Sequence, residues 1–153
     1  MNKQPNSDHC FVCGRNNPHG LYMTFYDDGD AMVESHYTVS KYYEGYPGIV
    51  HGGVQAAILD EIVGRVSLIE NFHAFMMSVH LDVKYRYPVP IEEPLRIVAI
   101  REQLRGRFTQ AVGMIYLKDG TLATEASLNL VQLPDDFHLD GDPAQVLGWR
   151  VDD

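Results

Sequence analysis

Positive charge is in short supply: 12 lysines and arginines stand against 21 aspartates and glutamates in 153 residues, a formal net charge of −9. Nucleic-acid binding needs a basic surface that releases counterions, so this balance excludes it as a general role. Long apolar runs are missing too, and nothing approaches the ~20 residues of a membrane span. The opening MNKQPNSDHC lacks the apolar stretch of a secretory signal, so a cytoplasmic protein is expected. Cysteine is confined to one C-x-x-C, Cys10 and Cys13. A structural zinc site wants four ligands, and only His9 and His19 could complete one locally. A thioredoxin-type redox pair would follow a strand and open a helix, whereas the turn residues Gly14, Asn16, Asn17 and Pro18 come next. Zinc and redox chemistry stay as alternatives to the simpler reading, a reduced pair packing an N-terminal turn, and no metal ligand is assigned.

What is present is the make-up of an ordinary globular protein, 45% hydrophobic and 22% charged. One domain over residues 1–153 is expected, long enough to bury about two thirds of its unfolded surface. Charge is unevenly spread. From Pro134 to Asp153 there are six aspartates and one arginine, an acidic tail; from Lys84 to Arg107 six lysines and arginines face three glutamates, a candidate anion site.

Alternation over Leu21–Tyr26 and Ala31–Val39, joined by the turn DDGD (27–30), predicts an opening β-hairpin. Residues 40–50, with Gly45, Pro47 and Gly48, read as an ordered loop. From Gly52 to about Ile69 the pattern is helical and apolar almost all round. Strands follow over Phe75–Arg86, Leu95–Leu104, Phe108–Leu117 and Leu122–Leu133. The order β-β-α-β-β-β-β predicts an α+β protein in which an antiparallel sheet curls around one buried helix, since only a concave sheet hides so wide an apolar stripe.

One stretch conflicts with a purely structural helix. In GIVHGGVQAAILDE (48–61) a His-Gly-Gly turn runs into an apolar helix that holds two adjacent acids. Glu61 has Arg65 one turn later, the favourable order for an ion pair. Asp60 is flanked at three and four positions by Ala56, Ala57, Val63 and Gly64, a sheltered setting in which a carboxylate is costly unless paired or put to work.

Taken with Asp60 nine positions after His51, the string Tyr46-Pro47-Gly48-Ile49-Val50-His51-Gly52-Gly53 resembles the signature of the hotdog-fold acyl-CoA thioesterases of the PaaI-like kind. CFVCGRNNPHGL and SVHLDVKYRYPVP are also similar to segments of that family, so the resemblance spans about 9–133 and leaves the tail 134–153 outside. It implies a hotdog fold of about six strands around one long central helix, and hydrolysis of an acyl-CoA thioester to free acid and coenzyme A. No cofactor is implied beyond the coenzyme A of the substrate. The Gly52 and Gly53 amides at the helix N-terminus are suited to an oxyanion. Asp60 is expected as general base or as nucleophile, with His51 beside the thioester and Ser78, eighteen positions on, orienting the attacking water.

Arg105 and Arg107, with Arg101 and Lys84 behind them, are candidates for the coenzyme A phosphates. Phe72, Phe75, Met76, Met77, Tyr42 and Tyr43 are candidates for the acyl pocket. The chain departs from the family where some relatives place an Asn or Gln about six residues before the histidine, having Glu44 and Gly45 there. The expected partners are the acyl-CoA and a second copy of the chain, in a homodimer at least, the tetramer of some relatives being left open, with the site between subunits and neither nucleic acid nor membrane involved. The alternative is a non-catalytic acyl-CoA-binding sensor on the same fold.

Overall fold

The structure is a computed structural model and describes residues 1–134 and 139–153. Of the acidic tail, residues 135–138 lie outside the described residues. Seven strands form one antiparallel sheet in the order β1-β2-β3-β5-β6-β7-β4, where β1 is Asn2–Lys3, β2 Tyr26–Asp27, β3 Met32–Thr38, β4 Met76–Tyr85, β5 Pro94–Arg105, β6 Phe108–Tyr116 and β7 Leu122–Gln132. Helix α1 covers Gly52–Gly64 and runs on as a tighter 3-10 turn over Arg65–Leu68; a short α2 spans Pro143–Val146. Among the described residues, no helix is long and apolar enough to cross a membrane.

The sheet seats the helix on a row of small residues. Paired across β3, β5, β6, β7 and β4 are Val33, Ala99, Gly113, Ala126 and Val83. The three central members lack bulk, so α1 settles onto them through Leu59, Ile62 and Val63, all fully buried. A Cβ on Gly113 would meet Val63 Cγ2 at 2.8 Å and Leu59 Cδ2 at 3.1 Å, so glycine is there for space rather than for its dihedrals.

The opening hairpin is shorter than the alternation predicts. Only Tyr26 and Asp27 pair with β3, through Glu34 and Val33. Upstream, the Leu21 and Met23 amides donate to Phe11 and Val12, and the Phe25 carbonyl accepts from Gln4. The N-terminal segment therefore takes the bonds that a longer hairpin would have used. It also supplies β1, the seventh strand. The DDGD turn forms as expected: Asp28 Oδ1 accepts the amides of Asp30, Ala31 and Met32 at 2.9–3.0 Å.

The chain's two ends are tied together. Arg15 donates to Asp8 (2.7 Å), the Gly148 carbonyl (2.6 Å) and Asp152 (3.2 Å). Arg65 is 2% exposed, pairs with Glu61 at 2.8 Å, donates to the Pro5 carbonyl, and lies between the rings of Phe25 (4.3 Å) and Trp149 (5.3 Å). The ion pair read from i,i+4 spacing is thus an interior anchor. Trp149 completes it by donating to the Phe72 carbonyl at 2.7 Å.

Gly113→Val drives two methyls into Leu59 and Val63. The variant is expected to lose about 2 kcal/mol, the usual cost of overpacking, read as a lower urea midpoint with an unchanged m-value.

Candidate active site

His51 caps α1. Its Nδ1 accepts the Gly53 amide at 2.9 Å, and its carbonyl accepts those of Val54 and Gln55. An imidazole that accepts at Nδ1 carries its hydrogen on Nε2, which makes His51 a donor on its other edge. Of the two glycine amides singled out from the sequence, Gly53's is occupied by this cap. Gly52's forms no hydrogen bond among the described residues and stands at the positive end of the helix dipole.

The Tyr85 hydroxyl donates to the Gly52 carbonyl at 2.8 Å and pins the helix start to the end of β4. Inside, buried Gln55 donates to the Val50 carbonyl (3.0 Å) and accepts from Thr124 Oγ1 (2.6 Å), which fixes the approach loop to β7. Around this helix end lies a groove of about 760 Å3 lined by Tyr46, Ile49, His51, Gly52, Tyr85 and Tyr87 among others, a size ordinary for ligand sites. Glu44, at the family's Asn or Gln position, accepts the Gly48 amide (3.0 Å) and closes the loop on itself.

Asp60 is at the other end of α1. Its Oδ1 accepts the Ser78 hydroxyl at 2.6 Å, and the two line a smaller cavity of about 190 Å3 with Phe75, Met76 and Trp149. Ser78 and Tyr85 are seven residues apart on β4, a spacing that puts side chains on opposite faces of a regular strand. Both reach α1 because the register shifts between Ser78 and His80: the bulge flips the alternation once, and β4 faces the helix at each end.

Gly52 and Asp60 are separated by eight positions of one helix, about 12 Å along its axis. A reacting carbonyl must lie ~3 Å from both its oxyanion donor and its attacking group. Within one chain these groups cannot share a substrate carbonyl.

The candidate cations fall in separate places. Arg105 is exposed at the β5–β6 turn, in the pairing row of Phe108, Val131 and Met77 and so on the face of the sheet opposite Ser78, and borders a cavity of about 230 Å3 with Val79 and Phe108. Arg107 donates to the Leu133 carbonyl at 3.3 Å. Arg101 is committed to Glu70 (2.9 Å) and the Asp30 carbonyl (2.8 Å), and the same ion pair holds the Glu70 carboxyl below its usual range. Lys84 is exposed and borders a cavity shared with Asp82 and Glu125. Of the candidate acyl-pocket residues, Phe75 and Met76 lie beside Asp60, Tyr42 is 84% exposed, and Tyr43 donates to the Gly20 carbonyl. The sequence reading missed Gln55, Tyr85, Tyr46 and Tyr87. A glutamine amid the apolar face of α1 was the one visible signal for them.

An antiparallel sheet around one long central helix is the hotdog fold. The chain belongs to the thioesterase superfamily, whose family profile matches residues 47–124. It is 29% identical over 116 residues to mouse acyl-coenzyme A thioesterase THEM4, covering 73% of this chain and 48% of that protein. The chain thus spans about half the length of the curated relatives it matches. The crystal structure of the thioesterase superfamily protein RHA08564 superposes with a TM-score of 0.72 at 29% identity, covering 80% of this chain and 63% of the other. Escherichia coli PaaI, from the phenylacetic acid degradation operon, shares the fold at a TM-score of 0.66 and 11% identity, over 74% and 81% of the two chains.

Thr124→Val leaves the Gln55 carbonyl oxygen buried without its donor and is expected to cost about 1–3 kcal/mol. Tyr85→Phe, at an exposed hydroxyl, is expected to cost under about 1 kcal/mol, and both are checked by chemical denaturation.

Proposed function

We propose that this chain hydrolyses acyl-CoA thioesters at a site shared by two copies, one supplying the Gly52 amide and the other Asp60 with Ser78. The observation that carries this reading is the 2.6 Å bond from the Ser78 hydroxyl to Asp60 on the same helix that begins with a free amide. Membership of the thioesterase superfamily and the printed activity of the mouse relative support it.

In the proposed mechanism Ser78 gives its hydrogen to Asp60 and turns its oxygen lone pairs toward a water molecule. Asp60 takes a proton from that water as it adds to the thioester carbonyl, or Asp60 itself adds, becomes an acyl anhydride when the thiolate leaves, and is freed when water hydrolyses that anhydride to the acid. Either attack builds charge on the carbonyl oxygen, where the partner's Gly52 amide receives it with the helix dipole behind. Collapse expels the coenzyme A thiolate. His51 offers a hydrogen from Nε2 at the same helix end, and exposed Arg105 offers charge to the phosphates.

Two features support a dimer. The 12 Å gap along α1 leaves each half-site incomplete. Among the described residues, strand β4 pairs only with β7, which leaves its other edge open over ten residues, and it exposes Met77, Val79 and Leu81. An unpaired apolar edge of that length invites a second copy in register.

The test is free-thiol release from aromatic and aliphatic acyl-CoAs. Asp60→Asn is expected to lower turnover at least a hundredfold. Gly52→Pro removes the amide hydrogen at a helix position that accepts proline, its Cβ in ordinary contact with Tyr85 at 3.5 Å, and is expected to cost a hundred- to a thousandfold. Co-expressed in equal amounts, the two inactive variants should regain about a quarter of wild-type turnover, because half of the dimers carry one intact composite site. No recovery would sink the shared site. Binding of acyl-CoA by the wild type without release of thiol would replace the enzyme with the sensor reading.

A further inference from the structure

Two cysteines play no part in thioester chemistry, and the fold brings them a third ligand that no local spacing offers. Cys10 Sγ, Cys13 Sγ and a Glu61 carboxylate oxygen lie within 4.8 Å of one another, with Cys13 buried and the other two half-buried. Cys10 donates to Glu61 Oε2 at 3.6 Å. A tetrahedral zinc ion, bonded at ~2.3 Å to sulfur and ~2.0 Å to oxygen, holds such a pair of atoms ~3.5 Å apart. That edge already has the length the metal requires.

The surroundings fit a bound cation. Glu61 Oε1 accepts from Arg65 Nε and Nη2 at 3.0 and 2.8 Å, which leaves Oε2 turned toward the thiols. Two thiolates and a carboxylate would exceed the charge of a divalent ion by one, and buried Arg65 carries the compensating charge beside them. The Val12 amide donates to Cys10 Sγ at 3.3 Å, and Ser7 Oγ lies 3.7 Å from Cys13 Sγ, outer contacts of the kind that steady thiolate ligands. Gly14 closes the turn because a Cβ there would sit 2.3 Å from the Cys10 carbonyl oxygen.

We propose that Cys10, Cys13 and Glu61 bind a zinc ion that staples the N-terminal segment to the helix carrying Asp60. On binding, the two thiol protons pass to solvent as two zinc–sulfur bonds form, nothing is oxidised or reduced, and water takes the fourth position. The site is independent of the thioester reading and stands if that reading fails.

The test uses tag-free, reduced, chelator-stripped protein titrated with zinc against a chromophoric chelator, and with cobalt(II) as a spectroscopic probe. One metal per chain is expected, with a thiolate-to-cobalt charge-transfer band and both thiols shielded by zinc from a thiol reagent. Cys10→Ser should weaken zinc at least a hundredfold and Glu61→Gln about tenfold, while Asp60→Asn keeps wild-type affinity. Circular dichroism checks that each variant is folded, and the wild-type cobalt spectrum decides if one is not. No uptake at micromolar zinc, uptake with both thiols still reactive, or uptake by Glu61→Gln equal to wild type would overturn the proposal. So would recovery of the pair only as a Cys10–Cys13 disulfide.

Discussion

The seating of one apolar helix on a trough of small side chains is the constraint from which the rest follows. Leu59, Ile62 and Val63 approach the sheet because Ala99, Gly113 and Ala126 stand in register across three adjacent strands. Bulk in that row would lift α1 away from its contacts. Lifting it would also separate Asp60 from Ser78 and Gly52 from Tyr85, because each of those bonds joins the helix to β4. Packing and site geometry are therefore set by the same surface.

The helix works at both ends. Its start presents an amide and a capping histidine to a large groove, and its last turns present a carboxylate to a small cavity. The bulge in β4 makes this possible, since one strand must meet the helix twice at positions of opposite parity. A rigid helix also keeps the two groups about 12 Å apart. The geometry that positions each group also keeps the Gly52 amide and Asp60 from meeting on one carbonyl within a single chain.

The far end of α1 is held by a second set of contacts. Arg65 joins the helix to Pro5, to the ring of Phe25 and to Trp149 in the acidic tail, while Arg15 ties Asp8 to Asp152. Glu61 stands between Arg65 and Cys10 and so belongs both to this anchor and to the cysteine cluster. The N-terminal segment, which from its turn residues reads as a local feature, is bonded at Lys3, Gln4, Asn6, Asp8, Cys10 and Arg15 to parts of the chain far from it.

The sequence by itself determined most of the elements and supplied candidate residues for the site. Apolar periodicity gave the helix and strands β4 to β7, DDGD gave its turn, the Glu61–Arg65 spacing gave an ion pair, and His-Gly-Gly with Asp60 pointed to one helix carrying the chemistry. Each of these rests on residues within a turn or a strand of one another, where spacing fixes geometry. Only the tertiary structure decided that His51 occupies Gly53's amide and leaves Gly52's free, that Arg101 is committed to Glu70, and that the N-terminal segment shortens the opening hairpin. It alone brought Glu61 to Cys10 across 51 positions and turned Ser78 and Tyr85 to one face. Hydrogen bonds and ligand contacts between distant segments depend on where whole elements come to rest, and that is set by packing, which no local spacing encodes.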